Sequence, residues 1–379
     1  MIADRLRGLW WQRPPSGRRE APLKGLSDNP AYQWWRDPVT IQPDSWWGRA
    51  ATPESLEVEA ATMEELGVSV FRFDVPWREL APERPGEAGY QRATAADPDW
   101  SGYRWERLDR ILETLLKAAI TPIPVISHSP AWATEARGTS PASPPAQPEF
   151  FADLMAALAA RYRGRVLHWE LWNEPDHPHS WTGTLADYVD LVLEPGSVAV
   201  RSEAPECAVL LGGLASEHSL EAIHRAGGGP LYDIASVHSY PPVASVRSVR
   251  RAVSRVRWVL EKEGCRSRPV WLTECGINTA APSPPSDFGG ITDEPGQARF
   301  IQALYESVAA DAIFLYQMRD TAIFDGTGAL LKRVYWGLLG EQARRKPGFE
   351  AYRAALTGRN SDPRPGSVPK TLAGPRARH

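Results

Sequence analysis

Residues 148–172, PEFFADLMAALAARYRGRVLHWELW, decide the fold. Pro148 suits the first helical position, where a missing amide hydrogen costs nothing. From there Phe151, Leu154, Met155, Leu158 and Tyr162 recur at helical spacing and trace one apolar face. Gly164 supplies the left-handed residue that ends such a helix, and VLHWELW (166–172) follows as a strand. A helix feeding directly into an apolar strand is the repeating unit of an α/β sheet.

The unit recurs in both directions. Upstream, Thr52-Pro53-Glu54 opens a helix whose Leu56, Ala60, Met63 and Leu66 share a face up to Gly67, before VSVFRFDVPW (68–77). Leu108, Ile111, Leu112, Leu115 and Ala119 then precede ITPIPVIS (120–127). Downstream strands are AVLLGG (208–213), IASVHS (234–239), PVWLTE (269–274) and AIFLYQ (312–317), with helices at 184–204, 246–263 and 295–310. Taking VTIQPD (39–44) as the first strand gives eight, which predicts an α/β fold of the (β/α)8 TIM-barrel type over 39–357. A doubly wound sheet would carry a GxGxxG turn after its first strand, and none follows. Residues 1–38 are expected to be an N-terminal extension, and the Pro/Arg-rich stretch 358–379 a flexible tail. Pro122 and Pro124 lack amide donors two residues apart, so that strand should lose hydrogen bonds on one side only.

Composition narrows the function. The 379 residues are 42% hydrophobic, enough for a sizeable core, and 35 Pro with 30 Gly stay below the share of low-complexity chains. A net charge of −3 gives no global field for nucleic acid or an anionic membrane. Asp4, Arg5, Arg7 and Gln12 interrupt the N-terminal stretch before a signal sequence is long enough, so no secretory leader is expected and the cytoplasm is the default location. No apolar run reaches the length of a membrane-spanning helix. Cys207, Cys265 and Cys275 fit neither a zinc site nor a disulfide framework. His177-Pro-His179 has no third ligand at useful spacing and reads as a loop.

Active sites of such barrels lie at the C-terminal ends of the strands. Those ends carry Arg72, His128, Asn173, Glu174, His238, Tyr240 and Glu274. Two are carboxylates, in WELWNEP (169–175) and WLTECG (271–276). Glycoside cleavage needs such a pair, one acid to protonate the leaving oxygen and one carboxylate to act at the anomeric carbon.

The Asn-Glu-Pro after a Trp-rich fourth strand and the Thr-Glu at the seventh strand end resemble the clan A retaining glycoside hydrolases. Within the clan the likeness is closest to the β-xylosidase and α-L-iduronidase family, especially its barrel-only bacterial exopolysaccharide endoglycosidase relatives. It is carried by RFDVPW (72–77), SPAWA (129–133), RYRGRVLHWELWNEPD (161–176), DIASVHSY (233–240) and TECG (273–276), and extends over about 40–357.

The resemblance implies Glu174 as general acid/base and Glu274 as nucleophile. Asn173 would bond the sugar 2-hydroxyl, Tyr240 would hold the nucleophile and Arg72 would lie beneath it. His128, Trp132, Trp172 and His238 are expected as further substrate-binding or supporting residues. YQMRD (316–320) lacks the Trp that many clan members place at the eighth strand end, so Tyr316 or Trp336 is expected to floor the sugar pocket. An ionised Glu274 should keep Glu174 protonated until the nucleophile becomes an ester. The partner is a carbohydrate, and no metal or organic cofactor is expected, because two carboxylates suffice. A non-catalytic carbohydrate-binding TIM barrel is the alternative, which the presence of both glutamates disfavours. The long loops 133–149 and 275–295 are expected to shape the cleft.

Overall fold

The computed structural model describes residues 23–28, 53–86, 89–134, 137–138, 140–280, 290–324 and 330–358. Strands and longer helices alternate in the order β1 (Leu23–Asp28), α1 (Pro53–Leu66), β2 (Val70–Pro76), α2 (Glu106–Lys117), β3 (Thr121–Ser127), α3 (Pro148–Arg161), β4 (His168–Asn173) and α4 (Glu194–Glu203). They continue with β5 (Ala208–Gly213), α5 (Leu220–Arg225), β6 (Ala235–His238), α6 (Arg247–Lys262), β7 (Val270–Cys275), α7 (Glu294–Ser307) and β8 (Ala312–Tyr316). A hairpin, β9 (Thr321–Phe324) and β10 (Leu330–Val334), precedes the last helix α8 (Pro347–Thr357).

The first eight strands form one sheet in the order β5-β4-β3-β2-β1-β8-β7-β6, and every pair is parallel. Bridges from Leu210 to Ile234 and from Leu214 to Val237 bring its two edges together. The sheet is therefore a (β/α)8 barrel, which a doubly wound sheet with two free edges is not. No helix among the described residues is long and apolar enough to cross a membrane.

The first strand corrects the sequence reading. Residues 39–44 lie outside the described residues, and the place between β2 and β8 belongs to Leu23–Asp28, inside what reads as an N-terminal extension. LKGLSD escapes a periodicity search because Lys24, Gly25 and Asp28 are poor strand formers. Tertiary contacts select it instead. The Gly25 carbonyl accepts from Tyr352 of α8 at 2.8 Å, and Lys24 Nζ bonds the Ala355 carbonyl of the same helix. A Cβ on Gly25 would stand 2.6 Å from the Phe314 ring, so the residue must be glycine for β1 to close on β8.

The prolines of β3 act as their spacing implies. All seven residues from Thr121 to Ser127 register with β2, whereas only Val125 and Ile126 register with β4. Within the barrel, Val70, Ile123, Ala208, Leu210, Ile234, Trp271, Ala312 and Phe314 fill the end near the strand N-termini. A larger apolar shell joins the helices to the outer wall. The polar residues are left for the opposite end.

Gly25→Ala should overpack the barrel against Phe314 and cost about 1–3 kcal/mol. A urea unfolding midpoint unchanged by the substitution would show that β1 is not seated there.

Candidate active site

Above the apolar plug lies a buried ion network centred on Arg72. Its Nε donates to Glu170 Oε2 at 2.7 Å and its Nη2 to Glu170 Oε1 at 2.8 Å, a two-pronged pair. Nη2 also donates to Asn173 Oδ1 at 2.8 Å, while Nη1 reaches Glu274 Oε1 at 2.6 Å and Ser27 Oγ at 3.1 Å. One side chain thus ties β2 to β1, β4 and β7. Burial works against the Arg72 charge, yet Glu170 and Glu274 outweigh it and hold its pKa above the ordinary arginine value.

Glu274 is fully buried. Its second oxygen, Oε2, accepts from the Tyr240 hydroxyl at 2.6 Å. Burial pushes its pKa up, opposed by His238, Arg72 and the Tyr240 hydrogen bond, with the neighbouring Glu174 adding to the rise. Glu174 follows β4 in a left-handed conformation (φ 43°). His238 Nδ1 lies 2.6 Å from Glu174 Oε1 and 3.6 Å from Glu274 Oε2, between the two carboxylates. A Cβ on Gly213, at the end of β5, would collide with the His238 ring, so that glycine makes room for it.

Glu174, His238 and Glu274 each offer an atom within 4.8 Å of the others. A metal ion accepts such spacing, but both Glu274 oxygens already take donors, and a cation there would face the fixed Arg72 charge.

The structure gathers Arg72, Asn173, Glu174, His238, Tyr240 and Glu274, and it adds three residues that sequence reasoning missed. Glu170 lies on β4, four residues before Glu174, and its Oε1 also accepts the Gly213 amide at 2.8 Å. Ser27 was hidden because its strand was. Asp176 takes the Ala215 and Ser216 amides, each at 2.9 Å, and fixes the loop after β4 to the one after β5.

His128, also left-handed (φ 63°), is held by Ser127 Oγ at 2.7 Å and lies 3.4 Å from Asp74 Oδ2. Trp132 donates to the Ala81 carbonyl at 2.9 Å and stands edge-on to Trp77. Trp172 is not brought to the carboxylates. Its left-handed backbone (φ 76°) breaks the in-out alternation of β4, and its indole turns outward against Phe151 and Trp181, with Nε1 bonded to the Ser180 carbonyl at 2.9 Å.

Tyr316 and Trp336 both reach Tyr240, the hydrogen-bond partner of Glu274. Their rings lie 5.8 and 5.6 Å from that of Tyr240 and 5.4 Å from each other. The β9–β10 hairpin returns the chain beside the end of β8, where Leu338 N donates to Gln317 O at 3.1 Å. A polar clamp holds Trp336 there. Gln297 Nε2 donates to its carbonyl at 3.0 Å, Gly337 N to Asp320 Oδ1 at 2.9 Å, and buried Lys346 Nζ to Asp320 Oδ1 at 2.6 Å. Burial pulls the Lys346 pKa down and pushes the Asp320 pKa up, each opposed by the other's charge.

Lys346→Met strands the Asp320 carboxylate and should destabilise the fold by about 3 kcal/mol. Adding Asp320→Leu should restore part of that loss. A double-mutant cycle in thermal unfolding in which the two losses merely add would show the pair uncoupled.

Burial lowers His168 and His238 from 6.5 to about 4. Below pH 6.5 the unfolded chain takes up protons that the folded protein refuses until about pH 4, so this contribution is complete above 6.5 and lost as pH falls toward 4. The loss reaches about 1.4 kcal/mol per pH unit for each histidine. His168→Phe, which keeps a ring beside Trp271 without a titrating group, should flatten the acid limb of stability measured against pH. An unaltered limb would place the proton uptake elsewhere.

The chain shares 30% identity over 120 residues with "Beta-glucosidase-like SFR2, chloroplastic" of Oryza sativa subsp. japonica, which is 31% of this chain and 17% of that protein. By fold it is similar to a family 39 glycoside hydrolase from the gut symbiont Bacteroides cellulosilyticus WH2 (TM-score 0.58, 18% identity, covering 89% of this chain and 64% of that one). It is also similar to a monomeric beta-xylosidase from Caulobacter crescentus CB15 (TM-score 0.62, 18% identity, 89% and 69%). The chain therefore spans less than two thirds of the Oryza and Bacteroides proteins. The family model for Cellulase (glycosyl hydrolase family 5) matches residues 31–304, most of the chain and both glutamates, and the chain belongs to that family.

Proposed function

We propose that this chain is a retaining glycoside hydrolase that cleaves an O-glycosidic bond of an oligo- or polysaccharide through a covalent glycosyl-enzyme. One observation carries the stereochemical part: a Glu174 oxygen and a Glu274 oxygen lie within 4.8 Å of each other. Retaining pairs stand about 5–5.5 Å apart, whereas inverting pairs leave about 6.5–9.5 Å for a water.

The roles follow from the surroundings of each group. Glu274, positioned by donors from Arg72 and Tyr240, faces the anomeric carbon, and its attack as the carboxylate forms the ester while Glu174 passes a proton to the leaving oxygen. Glu174 then takes a proton from water, which attacks the same carbon and releases Glu274. His238 keeps Glu174 in place throughout. Asn173 spends its Oδ1 on Arg72, so its amide hydrogens remain as donors for the sugar 2-hydroxyl. The aromatic group of Tyr240, Tyr316 and Trp336 offers an apolar wall to the ring being cut. A carbohydrate-binding barrel without catalysis would not need both carboxylates beside a histidine.

The two glutamates should fail differently. Glu274→Ala removes the attacking group and should abolish turnover of every substrate. Glu174→Ala retains it, so an activated aryl glycoside should still form the ester, and azide should release it as a glycosyl azide of unchanged anomeric configuration. Azide rescue of Glu274→Ala to that retained product, with Glu174→Ala dead toward activated substrates, would reverse the assignment. An inverted first-formed anomer by NMR would end the retaining reading.

A further inference from the structure

The outer face of α6 carries a charge pattern that the catalytic centre does not use. From Ser239 to Leu260 the chain holds five arginines and no acid, in a protein whose net charge is −3. Two of the five have acidic partners in the fold. Arg255 is bonded to Glu221 at 2.8 Å and Arg257 to Asp311 at 2.9 Å, whereas Arg247 gives only its backbone amide, to Ser245. The side chains of Arg247, Arg250 and Arg251 are exposed and meet no acid among the described residues. Further along, Glu261 faces Arg266 at 3.5 Å and Glu221 also takes Lys262 at 3.0 Å, so the acids near the far end are already engaged.

Helical geometry turns these residues into a stripe. At 100° per residue, Arg247, Arg251, Ser254 and Trp258 fall on one narrow sector, with Arg250 at its flank, and the sector runs about 16 Å along the axis. Trp258 is 48% exposed at the far end, with the Arg255 guanidinium 4.2 Å from its ring centre. The arginines crowd the first turns of α6, which hold no acidic residue. Positive charges at that end oppose the helix dipole, so they reduce the stability of the free protein and are favourable only with an anion beside them.

The stripe also has a position. α6 begins seven residues after Tyr240, so Arg247 stands on the rim that holds the glutamate pair. The intervening loop is stitched to the one after β7 by Gly290 N donating to the Pro241 carbonyl at 2.7 Å. We propose that this face binds an acidic polysaccharide, a chain of uronate-type sugars, whose carboxylates meet Arg247, Arg250 and Arg251 while a sugar ring covers Trp258. Guanidinium forks match carboxylates, and an exposed indole suits the apolar face of a sugar. A nucleic acid would also be attracted by the charge, but continuity with a site that cuts sugar chains favours a polysaccharide. The polymer class rests on the glycosidase reading; the binding does not.

The test is affinity electrophoresis of the full chain through gels containing polygalacturonate, against neutral dextran gels, alongside the variant Arg247→Gln/Arg250→Gln/Arg251→Gln. Polygalacturonate should retard the native chain and dextran should not, with retardation falling as salt is raised. The triple variant should bind about tenfold more weakly, the sum of three solvent-exposed ion pairs, with turnover of 4-nitrophenyl glycosides unchanged and a melting temperature no lower than that of the native chain. Absence of retardation, equal retardation of the variant, or tighter binding of duplex DNA than of polygalacturonate would overturn the proposal. Because the gel needs no turnover, a chain that is retarded but cleaves no glycoside would sink the glycosidase reading and leave the stripe intact.

Discussion

Everything at the top of the barrel depends on one guanidinium. Glu170 and Glu274 are buried in direct contact with Arg72, Glu174 is buried beside Glu274, and burying carboxylates without compensation is prohibitive. Arg72 supplies both the charge and the geometry. Its planar fork takes Glu170 with two bonds and still has a hydrogen for Glu274 and one for Asn173. A lysine offers the charge as a point on a flexible stem and cannot set four partners at fixed angles. The arrangement of the pocket is therefore the arrangement of the donors on one side chain.

What was legible in the sequence is what repeats or reacts. The strands from β2 to β8 announce themselves as apolar runs after amphipathic helices, and Glu174 and Glu274 announce themselves as carboxylates at strand ends. β1 does not, because its place is settled by Gly25 yielding to Phe314 and by Tyr352 reaching back from the last helix, neither of which has a local pattern. Trp172 misleads for a related reason. A tryptophan beside Asn-Glu-Pro reads as a sugar contact, but a single left-handed residue reverses the face it occupies, and backbone sign is not written in side-chain type. Glu170 is hidden in the sequence because one more acid in a strand does not reveal that it is the counter-charge of Arg72.

The eighth strand shows how a barrel can meet a requirement from outside its regular elements. The residue at the end of β8 is a tyrosine, and the tryptophan arrives twenty positions later, carried back by a hairpin and pinned by Lys346, Asp320 and Gln297. The aromatic surface beside Tyr240 is thus assembled from two separate stretches, one rigid in the sheet and one held by a salt bridge. Loop chemistry and barrel chemistry are coupled at this point, since the clamp also touches Thr279 after β7 at 2.9 Å.

The two prolines of β3 leave the barrel wall uneven around its circumference. Between β2 and β3 the backbone ladder is continuous, but between β3 and β4 only two residues register, so this stave joint has little main-chain adhesive. Arg72 reaches over that joint, from β2 past β3 to Glu170 and Asn173 on β4. A side-chain strap thereby does the work of the missing ladder, and the same contact that organises the pocket also serves as the hoop that keeps the wall from parting beneath it.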